Sequence, residues 1–181
     1  MSRCAYCGPV DDAGLEYGVS QAVLSIGANL GDREASLQAA VDAFRDWLVA
    51  VSPVYETAPW GPVPQDDYLN AVLVARDIDA GPRDWLRRAQ AAEQAAGRTR
   101  DVRWGPRTLD VDVIVVDDAV SADPDLTLPH PRAAERAFVL VPWRAVQPSA
   151  RLGGVPVEEL VAALPADEVA GVRPRPDLRV A

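Results

Sequence analysis

An α+β fold with an antiparallel sheet is what this chain predicts. Its hydrophobic period switches between that of a strand and that of a helix in the order β, α, β, β, α, β, and glycines, prolines and capping residues stand at the changeovers. At 181 residues the chain has the length of a single domain, which can bury about 70% of its unfolded surface in one core without disulfide support.

Taken in order, residues 1–20 are Gly- and Asp-rich without periodicity and are expected to be a loose extension. Ala22-Val23-Leu24-Ser25-Ile26 predicts the first strand, and Gly27 to Asp32 supplies turn residues, with Asp32 as N-cap. Leu37, Val41, Phe44 and Leu48 recur at helical spacing, which predicts an amphipathic helix to Ala50. Val51 to Thr57 predicts a strand bent or placed at an edge by Pro53. A proline-stiffened loop at 58–67 leads to a strand from Tyr68 to Asp77. Gly81-Pro82 opens a second helix, Arg83 to Ala96, closed by Gly97. An arginine-rich loop, Arg98 to Thr108, precedes a β-branched strand from Leu109 to Val116. This order is ferredoxin-like: an antiparallel sheet with both helices on one face. Beyond it the sequence predicts a turn at Asp117-Asp118, a short extended piece at Leu126 to Leu128, and a helix from Ala133 to Val146 made irregular by Pro142. The tail from Glu158 onward is expected to be peripheral, and the domain proper to span 21–165.

Composition excludes several classes of function. The net charge is -9 and the pI about 4.6, which argues against a broad footprint for nucleic acid or an anionic membrane. All 18 basic residues are arginine, so no P-loop lysine, kinase strand lysine or Schiff-base lysine is available. Cys4 and Cys7 form the only cysteine pair, and with His130 as the single histidine they lack the partners for a zinc site. With no membrane span and no signal-peptide pattern, a soluble cytoplasmic protein is expected.

The most informative stretch is Arg103-Trp104-Gly105-Pro106-Arg107-Thr108-Leu109-Asp110-Val111-Asp112. On a strand, residues i and i+2 share a face, so Asp110 and Asp112 point the same way with Cα atoms roughly 6.5–7 Å apart. Such a pair can hold one or two hard cations against a polyphosphate, and the arginines beside it can clamp the same phosphates by bidentate hydrogen bonds.

Several separated strings then coincide. Leu24-Ser25-Ile26-Gly27-Ala28-Asn29-Leu30-Gly31-Asp32, Tyr55-Glu56-Thr57, Tyr68-Leu69-Asn70, the ten-residue run above and Leu128-Pro129-His130-Pro131-Arg132 together resemble the 6-hydroxymethyl-7,8-dihydropterin pyrophosphokinase family of folate biosynthesis, over roughly residues 22–165. The resemblance implies transfer of the β,γ-diphosphoryl unit of ATP to the pterin hydroxymethyl group, leaving AMP, with two magnesium ions held by Asp110 and Asp112. It implies that Arg98 and Arg107 clamp phosphate as catalytic residues. Gln90, Glu93, Arg100, Trp104, the backbone of Val113, Thr127, His130 and Arg136 correspond to nucleotide contacts. Tyr68, Asn70, Phe138, Thr57, Ala58, Trp60 and Trp104 correspond to the pterin slot, where a flat heterocycle needs ring faces and matched hydrogen bonds. No dedicated base stands out; Asp112 or a metal-bound water is the nearest candidate. The partners expected are the pterin and ATP alone, without nucleic acid or membrane, and a monomer is compatible with the sequence. Loops 27–32, 58–67 and 98–108 are expected to lose mobility when both substrates bind.

Two departures stand out. The first 20 residues have no counterpart at the family's usual start, and Ala134 replaces a second histidine that many members carry. Rival readings are an RRM-like nucleic-acid module, which shares the element order but wants basic charge and ring-bearing motifs absent here, and an Asp-x-Asp nucleotide-sugar transferase, which wants a larger nucleotide-binding domain.

Overall fold

The computed structural model describes residues 18–59, 65–97 and 107–181. Strand β1, Ser20–Ala28, leads through a turn to helix α1, Arg33–Ala43, whose first turn is capped by the Asp32 carboxylate accepting from the Ala35 N–H at 3.0 Å. The helix ends well before Ala50, the position its spacing predicts. A 3₁₀ turn at Arg45–Trp47 delivers Leu48 into strand β2, Leu48–Val51, so that Leu48 packs on the same core as Phe44 from a strand rather than a helix. The single strand expected over 51–57 is likewise divided. Pro53 cannot donate to a ladder, and β2 and the short β3, Tyr55–Thr57, pair in succession with β4, Tyr68–Asp77. Ser52 spans the break: its N–H donates to Val72 O and its Oγ accepts from Val72 N, both at 2.9 Å.

Helix α2, Pro82–Ala95, starts with a proline and gives way to Gly97 at φ +69°, the left-handed position that favours glycine. Strand β5, Asp110–Val116, follows. The core strands order as β3-β4-β1-β5, antiparallel throughout, which is the ferredoxin-like arrangement. Opposite Val23 and Leu24 of β1, strand β5 carries one extra residue, Ile114. This bulge places Ile114 and Val115 in the same hydrophobic layer, while Val111, Val113 and Val116 belong to the other.

One face of the sheet (Ala22, Leu24, Ile26, Leu69, Leu73) is sealed by α1 and α2 through Leu37, Val41, Phe44 and Trp85. The opposite face is covered only in part. Val23, Val72 and Ile114 pack under Val139, Leu140 and Trp143 of helix α3, Ala137–Val146. The helix expected from Ala133 is interrupted at Arg136, which is extended (φ -116°, ψ 101°) between a 3₁₀ turn at Ala133–Glu135 and α3. Pro142 lies buried inside α3 without breaking it. Leu126–Leu128, strand β7, is one arm of a hairpin with β6, Ser121–Asp123, an arm that the sequence pattern does not announce.

The expected peripheral tail is integrated instead. After the short hairpin β8–β9 (Arg151–Leu152 and Val155–Pro156), α4, Val157–Ala163, buries Val157 and Val161 under α3. After α5, Ala166–Ala170, strand β10, Arg173–Pro174, adds to β3 as the outermost strand, and Val180 reaches the main core. Periodicity over so few residues gives no sign of this, because each piece is ordered by partners far away in the chain.

Candidate active site

The uncovered part of the sheet's second face holds a cavity of about 280 Å³. Alternation along the strands decides its contents. Thr57 from β3, Tyr68 and Asn70 from β4, Ser25 and Gly27 from β1, and Asp110 and Asp112 from β5 all turn toward it, in laterally matched positions: Thr57 opposite Tyr68, Asn70 opposite Gly27, Gly27 opposite Asp110, Ser25 opposite Asp112. Arg136 and Phe138 enter from the start of α3, His130 and Arg132 from the turn after β7, and Ala58, Gln65 and Arg107 from chain segments at the rim.

At the β5 end, charges crowd. Arg107 Nη1 donates to Asp110 Oδ1 at 2.7 Å, and Arg136 Nη1 to Asp112 Oδ2 at 3.1 Å. Burial, and then the neighbouring Asp110 charge, push the Asp112 carboxyl above the ordinary carboxylate range; His130 and Arg136 oppose this without cancelling it. The ring of His130 has its Nδ1 accepting from the Arg132 N–H at 3.2 Å, so in the neutral ring the proton sits on Nε2. That nitrogen faces Asp112 Oδ2 at 3.9 Å, beyond hydrogen-bond reach. Burial lowers the His130 pKa, partly offset by Asp112, so the ring enters the site as a neutral Nε2–H donor.

At the β4 end the lining carries fewer charged groups. Asn70 is 3% exposed and its Nδ2 donates to Thr57 Oγ1 at 2.8 Å. Gly27 is required beneath it: a Cβ there would lie 2.9 Å from Asn70 Oδ1. Phe138 forms the facing wall and lies under the Arg136 guanidinium, 5.4 Å from ring centroid to carbon. The buried Nε of Arg136 has no hydrogen-bond partner among the described residues.

Asn29 ties the two ends together, a role no local pattern reveals. Its Oδ1 accepts from Arg107 N at 2.8 Å, its Nδ2 donates to Gln65 Oε1 at 2.8 Å and Asp66 O at 3.1 Å, and its own N–H donates to Arg107 O at 3.1 Å.

Of the residues singled out from sequence, Thr57, Ala58, Tyr68, Asn70, Arg107, Asp110, Asp112, His130, Arg136 and Phe138 meet at this one cavity. Four do not line it. Gln90 is exposed on α2; Glu93 is buried, its Oε1 accepting from the Val111 N–H of the edge strand at 2.9 Å; Val113 faces the helix-side core; and Thr127 Oγ1 donates to Asp123 O at 3.0 Å. Trp60, Arg98, Arg100 and Trp104 lie outside the described residues. Ser25, Gly27, Gln65 and Arg132 line the cavity without having been singled out as site residues.

Two crowded carboxylates, one held above its ordinary pKa, suit a divalent cation. Among the described residues no third acid, histidine or cysteine joins them to complete a protein cage. That donor set matches magnesium, which takes one or two carboxylates and completes its shell with phosphate oxygens and water.

The model of the 7,8-dihydro-6-hydroxymethylpterin-pyrophosphokinase family matches residues 23–148. The chain belongs to this family. The 2-amino-4-hydroxy-6-hydroxymethyldihydropteridine pyrophosphokinase of Mycobacterium tuberculosis is 50% identical over 163 residues, 82% of this chain and 87% of the relative. The enzyme of the same name from Pseudomonas aeruginosa is 41% identical over 152 residues, 81% and 93% of the two chains. Among solved structures, the wild-type HPPK-DHPS of Plasmodium falciparum superposes with a TM-score of 0.61 at 14% identity. That match covers 81% of this chain and 45% of the other, so this chain spans under half the length of that protein. At such identity the likeness speaks for the fold alone. It agrees with the antiparallel α+β architecture expected from the element order.

Proposed function

We propose that this chain transfers the β,γ-diphosphoryl group of ATP to the hydroxymethyl oxygen of 6-hydroxymethyl-7,8-dihydropterin, releasing AMP, as a step of folate biosynthesis. The observation that carries the reading is the division of one cavity into an anionic-cationic end on β5 and an aromatic, amide-lined end on β4. Family membership and the named relatives support it.

In this reading the pterin lies between Tyr68 and Phe138, with Asn70, Thr57 and the backbone at Ala58 meeting its polar edge. Trp60 and Trp104, outside the described residues, are assigned to the pterin by the family resemblance of their motifs. The hydroxymethyl group then points toward β5. The attacking hydroxyl oxygen forms its bond to the β-phosphorus as the bond to the α,β-bridging oxygen breaks; AMP leaves with that oxygen, and the hydroxyl proton passes to solvent, with Asp112 the nearest candidate to relay it. Negative charge grows on the transferred unit and on the departing α-phosphate. Arg107, Arg136 and the Nε2–H of His130 supply donors aimed at that charge, with Arg98 and Arg100 serving as further phosphate clamps. Asp110 and Asp112 would hold two magnesium ions, which when bound neutralise the polyphosphate and align it for in-line displacement. The nucleoside would extend past β5 toward Gln90, Glu93, the backbone of Val113 and Thr127.

AMP release measured by a coupled assay, with and without the pterin at fixed Mg·ATP, tests the assignment. Pterin-dependent AMP formation is expected; AMP formation indifferent to the pterin would overturn it.

A further inference from the structure

The chain continues well past residue 148, where the match to the family ends, and its last strand returns to the candidate site. In β10, Arg173 pairs with Glu56 and Pro174 with Tyr55, and just beyond it the Arg175 N–H donates to Val54 O at 2.9 Å. The side chains converge on two acids. Arg173 Nη2 lies 2.7 Å from Asp67 Oδ2 and 3.8 Å from Glu56 Oε2, and Arg175 Nη1 lies 3.2 Å from Glu56 Oε1. Arg33, the first residue of α1, donates through Nη1 to the same Glu56 Oε1 at 3.1 Å and to Asp67 O at 2.6 Å.

Glu56 and Asp67 each precede a residue of the pterin slot, Thr57 and Tyr68, and those two are register partners across β3 and β4. Without β10, β3 would be a short edge strand with no ladder on its outer side among the described residues. Strands so short hold their spacing weakly.

We propose that the C-terminal strand β10 is a positioning strap for the pterin side of the site: Arg173 bridges Glu56 and Asp67, Arg175 anchors Glu56, and together they fix the separation of Thr57 from Tyr68. The strap touches neither substrate. It rests on the assignment of Thr57, Tyr68 and Asn70 to the pterin. It acts on one substrate only, because β10 pairs with β3 at the edge of the sheet opposite to β5 and its carboxylates.

The test uses the full-length chain with Arg173→Ala, Asp67→Asn, their combination, Arg173→Lys and Asn70→Ala. Arg173 is half exposed, so its single variant is expected to fold and to raise the pterin KM by about threefold to fivefold, on the scale of an exposed ion pair within a network. The ATP KM and melting temperature should stay unchanged, Arg173→Lys should recover part of the pterin KM, and the double variant should be no worse than Arg173→Ala. Equal shifts in both KM values, or additive effects in the double variant, would overturn the strap. If Asn70→Ala raises the pterin KM while Arg173→Ala does not, the strap alone falls. If Asn70→Ala leaves the pterin KM unchanged, the slot assignment falls with it.

Discussion

The two faces of the central sheet differ in how completely their polar groups are matched. On the helix-covered face Arg88 lies 3.7 Å from the Trp47 ring centroid and 4.6 Å from that of Trp85, and pairs with Asp77; its buried Nη1 has no hydrogen-bond partner among the described residues, but the guanidinium is covered by those ring faces. Trp85 Nε1 donates to the buried Ser20 Oγ at 2.9 Å. On the cavity face the matching is incomplete: two carboxylates repel, the His130 Nε2 stands 3.9 Å from Asp112 Oδ2, and the Arg136 Nε is buried without a partner among the described residues. Groups compensated by their neighbours hold the fold. Groups left for a ligand to compensate mark the site, and they leave local stability below what the same residues could give if paired.

The largest expected break in that contrast is Asp112→Ala. Pterin-dependent AMP formation should fall by roughly 10²–10³-fold or more, while the urea midpoint changes little, because relief of the repulsion from Asp110 offsets the lost pairing with Arg136. A stability loss comparable to the activity loss would mean that Asp112 belongs to the scaffold. Trp85→Ala should do the reverse, costing about 3–5 kcal/mol of unfolding free energy with turnover per folded molecule preserved, as active-site titration would reveal. Gly27→Ala sits on the boundary: the new Cβ meets Asn70 Oδ1, so the pterin KM should rise on the order of tenfold, the scale of about 1.4 kcal/mol, with the ATP KM little changed, which steady-state kinetics would resolve. The smallest effect is expected from Asp77→Asn, about 1 kcal/mol by denaturant titration. Burial alone would raise the Asp77 pKa, but the Asp79 N–H and the Arg88 guanidinium outweigh it and hold it below 3.8. Its folded-state pKa is depressed, so its contribution is present above the unfolded value and disappears as pH falls through the lowered one. The wild type should therefore lose stability below pH 3.8 more steeply than the Asp77→Asn variant, by thermal melts across that range.

How much of this was legible depended on distance along the chain. The i, i+2 rule put Asp110 with Asp112 and Tyr68 with Asn70 on common faces without any coordinates, and the order of periods led to the sheet. Leu48 misled because a residue four after Phe44 fits a helix, yet the same residue also fits a strand that meets the core from another direction. Glu93 shows another limit. Its position suggested a nucleotide contact, and the structure adds a role that position did not announce: its Oε1 accepts from the Val111 N–H, a partner 18 residues away. Asn29 and the β10 arginines were beyond reach, since each acts through hydrogen bonds or ion pairs spanning tens of residues, and such pairings leave no periodic trace.

The bulge at Ile114 has a consequence for insertions and deletions in β5. Removing Ile114 would restore regular alternation with Asp110, Asp112 and Val115 still on one side and Val111, Val113 and Val116 on the other, so every polarity pattern in the strand would survive. What would vanish is a carbonyl: Ile114 O accepts the His130 N–H at 2.8 Å and moors the turn that carries the imidazole. A one-residue shortening invisible to hydropathy would thus set the histidine adrift, and β5 tolerates changes of length far less than its composition implies.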